Sequence, residues 1–188
     1  FRPDYSTWHV IDYDLQTGLP RAKKTAQGAA DSSSWARGQS WGLYGYTMMY
    51  RFTGKKSYLM QARHIADYLI HHPNLPADKI PYWDYSVPGG PDVKRDVSAG
   101  AIMASALLEL GQYTTGKEKK EYLDVAKTII VYLSSPAYLA TPGKNGGFLL
   151  LHSVGSIPHK SEIDVPLTYA DYYFVEALLR YKKWYLKK

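Results

Sequence analysis

The 188 residues contain no cysteine, so the sequence offers no disulfide framework, thiolate metal ligand or cysteine nucleophile. No apolar run approaches the roughly 20 residues that a membrane-spanning helix needs, and no membrane partner is expected. There is no glycine-rich nucleotide loop, no serine nucleophile elbow and no histidine spacing suited to zinc. The usual sequence signals for zinc or a nucleotide cofactor are thus missing. The chain opens on Phe1 without a methionine. An upstream region, and any targeting signal it carries, is expected to lie outside it.

Phenylalanine is scarce too, with four residues against eighteen tyrosines and five tryptophans. Tyr and Trp join an apolar ring to a polar handle, which suits both helix interfaces and sugar rings with their C–H faces and hydroxyls. The formal charge is +6. Part of the excess is a solvated helix start at Lys117, Lys119 and Lys120 beside Glu118 and Glu121. Part is a basic end at Lys182, Lys183, Lys187 and Lys188. A basic balance favours anionic partners. No nucleic-acid-binding module is recognisable, so an acidic sugar is expected rather than nucleic acid.

Residues 1–34 read as loop with one extended piece, Trp8 to Asp14, and a turn at Gly18-Leu19-Pro20. Asp31 to Ser34 offer N-caps. The apolar spacing predicts helices over 35–52, 56–71, 97–110, 117–133 and 167–184, and a short buried strand over 148–151. The first helix carries Gly38, Gly42 and Gly45 at spacings that permit close helix approach. The third is almost entirely small and apolar, so it should be buried on all sides. The second and fourth are amphipathic.

A repeat is visible in this order. Gly54-Lys55 and Gly116-Lys117 each separate a helix pair, and Tyr58-Leu59 with Ala62 matches Tyr122-Leu123 with Ala126. The period is roughly 60 residues, and such pairs must stack on neighbours to bury both faces. Alternating small-residue and amphipathic helices is the pattern of inner and outer helices in an α/α toroid. A plain bundle or an open solenoid is the other arrangement this pattern allows. In a toroid the inner helices run the same way, so Trp35, Arg37 and Asp96 gather at one rim. Arg37 there is either a bidentate clamp for a carboxylate or half of a structural ion pair. Trp41, one turn further along, either lines the pocket floor or belongs to the core. Asp84, Asp92, Asp96, Asp164 and Asp171 are candidate acids by residue type. Asp96 reads more simply as a helix cap able to pair with Arg95 or another neighbour, and Asp171 as a structural acid.

The stretch Ser34-Trp35-Ala36-Arg37-Gly38-Gln39-Ser40-Trp41-Gly42 resembles the signature of the unsaturated glucuronyl hydrolases, glycoside hydrolase family 88. Pro81-Tyr82-Trp83-Asp84, Arg95-Asp96-Val97-Ser98-Ala99-Gly100 and the run from Asp164 to Tyr173 agree with it. The resemblance extends over nearly all of 1–188, as one partial catalytic domain. It implies an all-α fold, the carboxy-terminal half of an (α/α)6 barrel. It implies a parent activity on lyase-generated oligosaccharides that end in a 4,5-unsaturated uronic acid. In that reaction an aspartic acid protonates C4, water adds at C5, and the hemiketal opens to release the next sugar, with no metal or organic cofactor.

By the same resemblance His9, Gln27, Arg37 and Trp41 contact the substrate and Trp35 supports them. Leu151 stands where some relatives have serine, and the loop from His152 to Ser156 borders the next sugar. The family's two essential aspartates, and a second histidine, precede the first residue here, so no catalytic residue is assigned. This chain alone is expected to be inactive. Exposed inner-helix surface is expected to draw copies into a homodimer that covers the open barrel edge. The compartment, bacterial cytoplasm or periplasm, stays open. Two other readings remain: a non-catalytic protein that binds acidic carbohydrate or acts as a scaffold, and a relative of the unsaturated rhamnogalacturonyl hydrolases.

Overall fold

The computed structural model describes residues 1–186. It is predominantly helical, with five α-helices among the described residues: α1 Ala36–Thr53, α2 Lys56–His71, α3 Val97–Leu110, α4 Gly116–Leu133 and α5 Thr168–Tyr181. Two antiparallel hairpins are added, β1 Val10–Tyr13 with β2 Pro20–Lys24, and β3 Ser153–Ser156 with β4 Ser161–Val165. A π-helical turn, Lys182–Leu186, follows α5. No helix among the described residues is long and apolar enough to cross a membrane.

All fourteen residues of α3 are buried, as its small apolar sequence requires. It packs between α1 and α5, while α2 backs α1 and α4 backs α3. The result is an inner row, α1–α3–α5, with two outer helices, the arrangement of a partial α/α toroid. The outer helices bury one stripe each: Ala62, Ile65, Ala66 and Leu69 on α2, and Tyr122, Ala126, Ile129 and Leu133 on α4. Gly54 ends α1 in the left-handed region at φ 66°, with its N–H on Tyr50 O.

The inner row is also tied by buried charge. Arg180 on α5 reaches Glu109 on α3 at 2.9 Å and Glu176 at 3.3 Å, and donates to Ser105 O at 2.8 Å. Ser105 Oγ donates to Glu176 at 2.5 Å, and Tyr44 of α1 donates to the other oxygen at 3.1 Å. Burial and this carboxylate together push the Tyr44 phenol up to about 12, against the pull of Arg180. One network thus joins all three inner helices and keeps the buried Glu109 and Arg180 paired.

Several local expectations need correction. Residues 148–151 form no strand; Leu150 makes only a one-residue bridge to Leu139, and the true strand begins at Ser153. The two backbone N–H groups of Leu149 and Leu150 go instead to the carboxylate of Asp171. The extended piece before α1 has a partner strand, Pro20–Lys24, beyond its turn. None of Asp31 to Ser34 caps α1, whose N-cap is Trp35 without a side-chain bond. The last α-helix stops at Tyr181, so Lys182, Lys183 and Trp184 lie in the π-helical turn. Lys187 and Lys188 of the basic end fall outside the described residues.

Candidate carbohydrate site

The rim expected from the helix directions exists. Asp96 caps α3 by accepting from the Ser98 N–H at 3.1 Å and its hydroxyl at 2.6 Å. Its other oxygen meets Arg37 NH1 from the first turn of α1 at 3.0 Å. The partner of Asp96 is therefore Arg37; Arg95 pairs with Asp78. Burial pushes the Asp96 carboxyl up, opposed by the Arg37 guanidinium and the Ser98 hydroxyl. Arg37 also donates to Val154 O and, at 2.8 Å, to Gly155 O. These acceptors lie on β3, so hairpin β3–β4 is pinned across the helix ends.

Around this pair the aromatic rings stack. The Arg37 guanidinium lies 4.6 Å from the centre of the Trp35 ring and 5.2 Å from that of Tyr169, a cation–π sandwich. His9 stacks on Trp35 at 4.3 Å. Such closeness requires Gly38: a Cβ there would sit 2.7 Å from the Trp35 ring.

His9 is fixed in one tautomer. Its Nδ1 accepts from the backbone N–H of Ala26 at 3.2 Å and of Gln27 at 3.4 Å, with Thr25 Oγ1 at 3.1 Å. The proton is thus assigned to Nε2. Burial holds the His9 pKa below its ordinary value, and the positive Arg37 adds to this. Gln27 donates from Nε2 to Gly155 O at 2.9 Å, the same oxygen that Arg37 uses. Gln27 and Arg37 therefore share one carbonyl, with Trp35 stacked against Arg37 and His9 stacked on Trp35. Trp41 stands apart from that carbonyl, one turn along α1. Its ring meets Tyr173 of α5 edge-on at 5.0 Å, and Tyr44 at 6.5 Å.

This geometry bears on what each group can do. Two of the three Arg37 nitrogens are committed to protein acceptors, Nη1 to Asp96 and Val154 O and Nη2 to Gly155 O. His9 Nε2–H and Gln27 Oε1 have no hydrogen-bond partner among the described residues. They leave one donor and one acceptor beside the aromatic faces. Most of the candidate acids are occupied. Asp84 is fully buried and accepts from Ala29 N, Ser33 Oγ and Ser86 N. Asp171 brackets the loop at 149–150, and Asp164 binds His152 at 2.7 Å and Lys94 at 2.9 Å.

Sequence reasoning gave Tyr169, Tyr173 and Glu162 no individual role, and read the His152–Ser156 loop as the border of the next sugar without the part played by the Gly155 carbonyl. Glu162 packs on Gly155, where an added Cβ would meet the Glu162 Cβ at 2.6 Å. The only signal was the short Ser-Val-Gly-Ser run, whose glycine marks a close approach. The groove between α2 and α4, lined by Arg63, His64, Asp67, His71, Glu118 and Glu121, lies on the outer helices. It shares no residue with this site.

Comparison with known proteins decides the family. The chain is 49% identical, over 187 residues, to an unsaturated glucuronyl hydrolase of Formosa agariphila. The chain belongs to the unsaturated glucuronyl hydrolase family. A crystal structure of an unsaturated glucuronyl hydrolase specific for heparin superposes with a TM-score of 0.94 at 50% identity, covering 97% of this chain and 49% of that one. The unsaturated glucuronyl hydrolase of Bacillus sp. GL1, responsible for glycosaminoglycan degradation, superposes at 0.90 with 32% identity, covering 97% and 48%. An unsaturated chondroitin disaccharide hydrolase of Streptococcus pyogenes is 35% identical over 186 residues. This member of the family spans about half the length of the curated relatives it matches, 46% of the Formosa agariphila protein. No family model matches the chain.

Proposed function

We propose that this chain carries the sugar-binding part of a hydrolase that removes a 4,5-unsaturated uronic acid from the non-reducing end of lyase-generated oligosaccharides. The observation that carries this is the pairing of His9 Nε2–H and Gln27 Oε1, both without protein partners, beside the Trp35–Arg37–Tyr169 stack. One donor, one acceptor and ring faces suit a hydroxylated ring. The Arg37–Asp96 pair supports the site from behind, and Arg37 keeps its positive charge near an anionic ligand. His9, Gln27, Arg37 and Trp41 touch the sugar, with Trp35 behind His9.

By itself the chain binds and does not turn over. Asp84, Asp96, Asp164 and Asp171 all serve as hydrogen-bond acceptors within the fold, and Asp92, the remaining candidate, is exposed on the loop before Val93 without the burial that would raise a proton donor's pKa. The same reading has a second copy of the chain covering the open edge of the inner row.

The test is titration calorimetry with an unsaturated chondroitin or hyaluronan disaccharide, beside an assay for loss of the conjugated double-bond absorbance. The expected result is binding, abolished in Trp41→Ala and His9→Ala, with no change in absorbance. No binding to any acidic unsaturated disaccharide would overturn the site. Turnover that Glu162→Gln abolishes would overturn the non-catalytic part and make Glu162 the acid. Equal binding of saturated and unsaturated acidic sugars would favour a scaffold or carbohydrate-binding protein.

A further inference from the structure

Trp41 takes no part in the Arg37–Gly155 cluster, and its indole makes no hydrogen bond among the described residues. Its orientation is set by rings instead. Tyr173 of α5 meets it edge-on at 5.0 Å and Tyr44 of α1 at 6.5 Å, and these two tyrosines meet each other edge-on at 5.0 Å and 78°. Three rings on two helices thus form one triad, and edge-to-face contacts between such rings are directional.

Of the three, Tyr44 is the one tied by hydrogen bonds among the described residues. Its hydroxyl donates to Glu176 at 3.1 Å and accepts from Arg180 Nη2 at 3.3 Å, and the Arg180 guanidinium lies 5.2 Å from the centre of its ring. Burial pushes the phenol up to about 12, with Glu176 adding to this and Arg180 opposing it, so the phenol remains a donor at neutral pH. Glu176 is fixed in its turn. Its second oxygen takes the Ser105 hydroxyl of α3 at 2.5 Å, and Arg180 lies 3.3 Å from the first. Cohesion of the helices does not by itself call for these polar groups. All of α3 is buried, and well-packed apolar side chains often hold such a place equally well. What the network adds is one fixed hydroxyl at the base of the triad.

We infer that Glu176 is a positioning residue: it holds the Tyr44 hydroxyl, and Tyr44 with Tyr173 sets the angle at which the Trp41 indole faces the sugar. The contact between Trp41 and sugar rests on the function proposed above. The ordering of the indole by Glu176 does not.

The test uses the 188-residue chain labelled with 5-fluorotryptophan, the Trp41 fluorine signal being identified by its loss in Trp41→Phe. Tyr44→Phe removes one hydroxyl and keeps the ring. Glu176→Ala removes the acceptor, and Glu176→Gln keeps an oxygen that can accept from Tyr44 and Ser105. Without ligand, the Trp41 signal is expected to shift and broaden in Tyr44→Phe and Glu176→Ala and to return near its wild-type position in Glu176→Gln. The signal of the buried Trp83 is expected to stay in place throughout. Affinity for an unsaturated chondroitin disaccharide is expected to fall about tenfold in the first two variants, as misplacing a binding group does, and to recover most of that in Glu176→Gln. A Trp41 signal that neither Tyr44→Phe nor Glu176→Ala moves overturns the inference. So does one that moves only together with Trp83, which reports a general loosening of the fold. A Trp41 signal that responds as expected in a chain that binds no disaccharide supports the ordering and counts against the proposed function instead.

Discussion

Arg37 donates to Asp96 across 3.0 Å at the meeting point of α1 and α3, and the two side chains are 4% and 0% exposed. Removing one member leaves the other as an uncompensated buried charge, which typically costs about 3–5 kcal/mol. Arg37→Ala is therefore expected to destabilise the chain by that order in urea unfolding. Loss of sugar binding in that variant would report lost structure as much as a lost contact. The discriminating measurement is a cycle with Asp96→Asn. The double variant should be less unstable than the sum of the single losses, because the two residues share one interaction.

His9 offers a sharper test of the site itself. With Nδ1 accepting from Ala26 and Gln27, the neutral Nε2–H form is expected in nitrogen-detected NMR spectra. Its titration should fall below the ordinary histidine value of about 6.5, since burial lowers it and Arg37 adds to that. Protonating Nδ1 breaks both backbone bonds, so the amide signals of Ala26 and Gln27 should move with the same midpoint. Independent titration of those amides would show that His9 does not organise the turn.

Much of this was legible in the residues, and the misses have a common cause. The five helices follow from apolar spacing, which is a local property. The gathering of Trp35, Arg37 and Asp96 follows from helix direction once the inner and outer pattern is seen. The resemblance put the His152–Ser156 loop beside the next sugar, but sequence did not show that it forms a hairpin, β3–β4, bonded to Arg37. Its four core residues, Ser153 to Ser156, are all buried, yet their side chains alternate too little in polarity to signal a strand. Their contribution is made by the carbonyls of Val154 and Gly155, and a backbone carbonyl carries no sequence signature. The strand expected at Phe148–Leu151 failed for a related reason. Asp171, distant in sequence, supplies the acceptors that a strand partner would have supplied.

The glycines of α1 should respond in opposite directions to one added methyl group. Gly38→Ala places a Cβ 2.7 Å from a Trp35 ring that is wedged between His9 and Arg37. That overpacking is expected to cost about 1–3 kcal/mol. Gly45→Ala meets nothing within 4 Å, so in dilute monomer it should stabilise by about 0.5–1 kcal/mol through helix propensity. Urea melts at low protein concentration compare the two. A loss at Gly45 as large as that at Gly38 would mean that its face is already occupied.

His71 makes stability depend on pH on the outer side of the molecule. Its two ring nitrogens lie 3.0 Å from Asp67 on its own helix and 3.0 Å from Glu121 on α4. Both nitrogens can donate only in the protonated ring. Burial alone would lower the His71 pKa, but the bonds to Glu121 and the nearby Asp67 charge outweigh it and hold the value above the ordinary one. A raised folded value means that the stabilising contribution is complete below the unfolded value of about 6.5. It is lost as pH rises through the folded value. The wild-type melting temperature, compared with that of His71→Asn, should therefore have its largest lead below the unfolded value of about 6.5 and lose that lead as pH rises above it. The pair is more than half exposed on the histidine side, so the lead should be small and should shrink further in high salt. A lead that grows with pH would mean that His71 is bound as the neutral ring, and that α2 and α4 are held together by their apolar stripes without this bridge.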